Sequence, residues 1–165
     1  MLSDRTYLIE TINDRMRGDM ETKMTDTVKL LKECDAGSKM AVTSIDEVLD
    51  KIQDSNLKKY LQESKQEHEK LGNEIHALLN QYGAEEKDPN LMAKSMSWMK
   101  TNMKINMDHS DETVADLMTD GCNMGIKSLH KYLNQYQAAD HKSKELCKKL
   151  VSIEEHLGKE MREYL

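Results

Sequence analysis

Apolar residues recur at spacings of three and four along almost the whole chain, which contains a single proline, Pro89. That spacing places side chains on one face of an α-helix, whereas a half-buried strand alternates at every second residue. No stretch of the sequence shows the strand pattern. The sequence therefore predicts an all-α protein, and 165 residues are enough for one domain that buries its own core.

The stripes and their stop signals predict a helical bundle preceded by an N-terminal extension. The extension, residues 1–19, is predicted as a short helix that ends near Gly18, and the bundle takes residues 20–164. Pro89 suits the first turn of a crossover helix, and Gly83 is placed to stop the helix before it. The predicted bundle comprises a hairpin of helices A and B (20–83), a crossover helix (89–107) and a hairpin of helices C and D (110–164); helices A to D are expected at 20–52, 56–82, 111–137 and 140–164.

Charge and composition exclude several classes of function. The net charge of −6 argues against nucleic-acid binding, which needs clustered lysine and arginine. No apolar run approaches the roughly 20 residues that cross a bilayer, so membrane association is not expected. The N-terminus shows no signal peptide, and the odd cysteine count (Cys34, Cys122 and Cys147) is typical of reduced cytoplasmic thiols.

The two predicted hairpins are similar in sequence. A shift of 88 residues places Cys34 on Cys122 and His68 on His156, and the glycine, lysine, serine and glutamate matches in the same register need no gap. Such a half-to-half duplication, joined by a crossover, is one way to make a four-helix bundle.

Two helical hairpins joined by a crossover, each with Glu-His midway along its second helix, resemble the ferritin-like superfamily, which includes rubrerythrin and bacterioferritin. The chain is most similar to a group of short bacterial ferritin-like proteins of uncharacterised function. Their crossover helix contains a tryptophan, matched here by Trp98 in the segment that runs to Ile105. The resemblance covers residues 20–164 and implies a ferritin-like four-helix bundle.

The resemblance also implies a di-metal centre, held by one glutamate on each of helices A and C and by Glu-x-x-His on each of B and D. This sequence keeps only the two histidines. The four positions that match the carboxylates are occupied by other residues: Ser38, Lys65, Ile126 and Ile153. A di-iron centre of the family type is therefore not expected.

An altered metal site is the remaining metal hypothesis. Its candidate ligands are His68, His156, Glu67, Glu155 and Asp35, and they would suit iron or zinc. Glu74, Asp120 and Glu160 lie close enough to the apolar stripes to substitute. The alternative is that His68 is a core histidine bonded to Asp35, Ser38 or Ser64, that His156 is half-exposed, and that the cysteines fill the core.

No nucleophilic triad, phosphate loop or dinucleotide turn is present in the sequence. We therefore expect a non-catalytic protein without a cofactor, acting through oligomerisation or partner binding, with a homodimer as the expected assembly. Residues 2–17 and the methionine-rich crossover are the candidate surfaces for dimerisation. The alternative function is a metal-binding or oxidase protein with its altered site centred on His68 and His156.

Overall fold

A computed structural model describes residues 2–85 and 110–165, with side chains from residue 5 onward. Within these ranges the chain forms four helices and no strand, which confirms the predicted all-α four-helix bundle. The helices are α1 (Leu2–Val48), α2 (Ser55–Gln81), α3 (Asp111–Gln135) and α4 (His141–Met161), followed by one 3₁₀ turn (Arg162–Tyr164). The predicted crossover helix, 89–107, lies outside the described residues.

The predicted separate N-terminal helix is wrong, because α1 runs without a break from Leu2 to Val48. Gly18 does not act as the predicted stop, because a glycine inside a helix costs only about 1 kcal/mol relative to alanine and does not by itself end the helix. The one glycine with a positive φ among the described residues is Gly83, at 63°. It follows the end of α2, as predicted.

Side-chain caps fix where the other helices begin. Asp54, Ser110 and Asp140 each accept hydrogen bonds from backbone N–H groups in the first turn of α2, α3 and α4. The Asp111 carboxylate also accepts from the backbone of Gln53 and Asp54, at 2.8 Å each. The start of α3 is thereby tied to the turn between α1 and α2.

The helices pair mainly within the two hairpins, α1 with α2 and α3 with α4, and the hairpins meet chiefly through α2 and α4. Two groups of buried apolar side chains fill the interior. One contains Leu31, Leu71 and Leu150, and the other contains Ile45, Leu61 and Leu157. His68 lies on α2 between Leu61 and Leu71 and is therefore positioned between the two groups.

The two hairpins place their buried residues at matching positions, but not in one register. Cys34 and Cys122 are both buried, so the first helices match at the expected shift of 88. In the second helices the shift is 86: cap Asp54 corresponds to cap Asp140, and His68 corresponds to Glu154. Six residues join α1 to α2 but five join α3 to α4, which accounts for part of the difference.

Glycines on the second helices allow the first helices to approach closely. A Cβ atom on Gly72 would lie 2.7 Å from the Ser38 Oγ, and one on Gly158 would lie 3.4 Å from the Cys122 Cβ. Gly72 and Gly158 are themselves 86 positions apart and lie one turn beyond His68 and Glu154. In both hairpins, therefore, a glycine follows the central buried polar residue of the second helix by four positions.

The N-terminal part of α1 projects beyond the bundle. Every residue from 5 to 25 is exposed, and Thr27 is the first buried residue of the helix. We call residues 5–25 the arm; at 1.5 Å per residue it is about 30 Å long. The boundary between extension and bundle therefore lies near Asp26 and not at residue 19. Within the described residues, no helix is long and apolar enough to cross a membrane.

Candidate functional site

His68 is fully buried and has a partner on each ring nitrogen. Nδ1–H donates to the Ser64 carbonyl oxygen at 2.8 Å, because a carbonyl can only accept. Nε2 lies 3.2 Å from the Glu154 Oε1 atom on α4. The imidazole therefore joins the two hairpins across the centre of the bundle.

The pKa of His68 reflects two opposing effects. Burial lowers it, because a charged ring loses its hydration. The hydrogen bond and negative charge of Glu154, with the Ser64 carbonyl, act in the other direction and raise the pKa of His68 overall above its ordinary value. The proton on Nε2 is thus stabilised, and the pair is held as a charge-assisted hydrogen bond.

Glu154 is the buried carboxylate of this pair, and α3 leaves room for it at Gly125. A Cβ atom on Gly125 would lie 3.4 Å from the Glu154 carboxyl carbon. Cys122, one turn earlier on α3, faces the same carboxylate. Burial, followed by the charge of Glu154, raises the pKa of the Cys122 thiol far above its ordinary value, so this thiol stays protonated and is not an activated nucleophile.

A groove of about 380 Å³ lies between α1 and α3, with α4 as its floor. Its walls combine small residues, such as Gly37 on α1 and Gly121 on α3, with larger ones, such as Met40 and Leu117, and Glu154 lies in the floor between Leu150 and Leu157. The size is that of a small ligand pocket.

The five metal ligands predicted from the sequence are not brought together. His68 and Asp35 are buried, whereas Glu67, Glu155 and His156 are exposed, the side chain of His156 by 66%. Asp35 accepts from Lys39 Nζ at 2.8 Å and lies 3.3 Å from His76 Nδ1. His68 instead contacts Ser64, one of the partners that the alternative interpretation proposed.

The helical periodicity of α4 places His156 away from the bundle interior. Glu154 faces the bundle axis, and two residues further along α4 rotate a side chain by about 200°, so His156 points to solvent. A shift of 88 aligns His68 with His156, whereas the buried residue at the equivalent position of α4 is Glu154, at a shift of 86. The matching helix caps, Asp54 and Asp140, would have given the shift of 86 and identified Glu154.

Among the residues that the structure describes, no group of three or more histidine, cysteine, aspartate or glutamate side chains is arranged to hold a metal ion. His68 and Glu154 supply two potential ligands, and each already serves as the other's partner. Two of the carboxylates named as substitutes have other partners: Lys142 Nζ donates to Glu74 at 2.7 Å, and Glu160 lies 4.0 Å from His156 Nδ1.

The remaining two cysteines belong to the core. Cys34 on α1 and Cys147 on α4 are fully buried and unbridged. Contact with the Cys147 thiol and burial raise the pKa of Cys34, which keeps that thiol protonated. Both residues act as small apolar groups, as expected for buried free cysteine.

Comparison with known proteins gives one result. Residues 26–135, two thirds of the chain, match a family described as Domain of unknown function (DUF2383). No curated protein and no solved structure gives a significant match. The match begins at Asp26, where the arm ends, so the arm lies outside the matched region. The chain belongs to the DUF2383 family.

Proposed function

We propose that this protein is a non-catalytic assembly protein whose copies associate through the arm, with a homodimer as the first assembly. The observation that carries the proposal is a stripe of large apolar side chains along the arm, whose residues are all exposed. The side chains of the stripe are 49% to 71% exposed: Leu8, Ile9, Ile12, Met16, Met20 and Met24.

The stripe is a continuation of the core-facing side of α1. Eighteen residues make five full helical turns, so residues 18 apart lie on one line along the helix. Ile12 lies on the line of Leu30, and Met16 lies on the line of Cys34; both of these bundle residues are fully buried. Helix α1 therefore presents the same apolar face beyond the bundle that it buries within it.

An isolated arm would be a poor helix. A monomeric helix of about 20 residues is marginal in water, and Gly18 weakens this one further. Exposed apolar patches of this kind on a soluble protein usually mark an interface. Covering the stripe with a partner would both remove apolar surface from water and stabilise the arm.

The bundle supports a non-catalytic role. Of the polar groups that the structure describes in the core, His68 and Glu154 are hydrogen-bonded to each other and the Cys122 thiol is held protonated. We propose, as before, that the protein is cytoplasmic and distantly related to the ferritin-like superfamily. The paired hairpins with polar residues at equivalent central positions support that relationship.

The test is light scattering on the full chain and on two double variants. Ile9→Glu with Ile12→Glu places charge in the stripe, and Thr11→Glu with Thr25→Glu places the same charge on the opposite face of the arm. We expect the wild type and the control to form dimers and the stripe variant to be monomeric. A stripe variant that dimerises like the wild type would contradict the proposal, as would a wild type that is monomeric at high concentration.

The altered metal site remains as a second, less favoured function, with His68 and Glu154 as its centre in place of His68 and His156. Elemental analysis of protein purified without chelators tests it. Metal near one equivalent that His68→Leu abolishes, and His156→Leu does not, would favour this function over assembly alone.

A further inference from the structure

The arm carries a second inference, which rests on the proposed self-association: its geometry specifies how two copies pair. We infer that two arms pair in antiparallel orientation, centred on Ile12, with a bundle at each end of the paired segment. The partner is a second copy of this chain.

The bundle itself excludes the parallel arrangement. The apolar stripe lies on the side of α1 that α2 and α4 cover from Thr27 onward. A partner arm that lay on this stripe in parallel would continue into its own bundle at the same level, where α2 and α4 already occupy the space. An antiparallel partner leaves in the other direction, so the two bundles lie apart.

Charge favours one antiparallel register. The arm has four basic and four acidic residues in 5–25, so overall repulsion between arms is small. Arg5 and Asp19 lie seven residues before and seven residues after Ile12, so all three lie close to one line along the arm, within the stripe. Pairing centred on Ile12 sets Arg5 opposite the partner's Asp19, twice in the dimer, whereas parallel pairing would set Arg5 opposite its own copy.

The same register pairs apolar residues with each other and keeps the N-terminus of each arm from colliding with the bundle of the partner. Ile12 meets its own copy, and Leu8 meets the partner's Met16. The partner's residue 2 lies beside Thr22, one turn short of Asp26, where the bundle begins. The paired segment therefore covers the stripe from Leu8 to Met20 without a collision, and Met24 lies beyond it.

The area of the stripe indicates how tight such a dimer is. At roughly 60–120 Å² for a fully exposed aliphatic side chain, six partly exposed residues present about 200–400 Å² of apolar surface per copy. Stable interfaces bury about 800 Å² of total accessible surface, polar and apolar, on each partner. We therefore expect a reversible dimer whose population rises with concentration in the micromolar range.

Spin-label distances test the orientation in the full chain. Thr22→Cys carries one label on the outer side of the arm, and Asn13→Cys carries the control label near its centre; the native cysteines are buried. In the antiparallel pair, residue 22 lies beside the partner's residue 2, so the two Thr22 sites are about 30 Å apart along the axis, at 1.5 Å per residue. Residue 13 lies beside the partner's residue 11, so the two Asn13 sites are about 3 Å apart along the axis. We expect a long distance for Thr22 and a short one for Asn13.

Two short distances would overturn the antiparallel inference and leave self-association intact. The absence of any intermolecular distance, with a monomer in solution, would instead refute the proposed function. A charge exchange gives an independent check: Arg5→Asp alone should weaken the dimer about tenfold, and adding Asp19→Arg should restore it. No rescue in the double variant would contradict the register.

Discussion

The pair formed by His68 and Glu154 allows a quantitative prediction about the bundle. In the variant Glu154→Leu, the His68 Nε2 atom loses its partner at a fully buried position. Removing one member of a buried pair costs about 3–5 kcal/mol, and neutralisation of the histidine limits the loss to the lower end of that range. We expect the free energy of unfolding to fall by about 3 kcal/mol, which lowers Tm by roughly 6–12 °C.

The double variant His68→Leu with Glu154→Leu distinguishes pairing from simple packing. Leucine has a volume similar to that of each residue, and replacing a buried pair by apolar side chains is often neutral or stabilising. We expect the double variant to lie within about 1 kcal/mol of the wild type. Glu155→Leu is the matched control, since Glu155 is exposed, and its effect should stay within about 0.5 kcal/mol.

The assay is urea unfolding followed by circular dichroism, with five proteins compared at one pH: the wild type, the single variants His68→Leu and Glu154→Leu, the double variant and the Glu155→Leu control. We expect a coupling energy of at least about 2 kcal/mol between His68 and Glu154. Additive single effects, or a Glu154→Leu variant as stable as the Glu155→Leu control, would refute it, because the pair would then make no net contribution to joining the hairpins.

Three further predictions concern pH and the glycines. Because the folded-state pKa of His68 is raised above its unfolded value near 6.5, its contribution is complete below that pH and is lost as pH rises through the folded-state pKa. The stability difference between the wild type and Glu154→Gln should therefore shrink as the pH rises above about 6.5 in urea titrations; a constant difference would contradict this. Gly72→Ala should lower the free energy of unfolding by about 1–3 kcal/mol, since the new Cβ would meet Ser38, and an unchanged Tm would show that the helices move apart freely. Gly121→Ala meets nothing within 4 Å and should raise stability by about 0.5–1 kcal/mol, with a lower Tm as the contrary result.

The helical class, the caps and the stop at Gly83 could be predicted because local residue chemistry determines them. Apolar spacing alone determines which face of each helix is buried. The residues around Gly18 could not show whether the helix would continue there, because a cost of about 1 kcal/mol is easily offset over a 47-residue helix. The boundary between the arm and the bundle depends on where the other helices end along α1, and the sequence near residue 18 does not contain that information.

The candidate site was only half predictable. The central position of His68 on its stripe correctly indicated a buried residue, and Ser64 was among its expected partners. Its main partner was missed, because Glu154 is a charged residue on an apolar stripe and the repeat register pointed to His156. The groove depends on the distance between α1 and α3, which small residues permit but a single sequence does not specify.

Sedimentation equilibrium of the unmodified protein over a wide concentration range tests self-association through the arm most directly. We predict a mass that rises from 19.1 kDa toward twice that value, reversibly, with an increase in helical circular dichroism as the arms pair. A mass of 19.1 kDa at every concentration, with constant helicity, would contradict it.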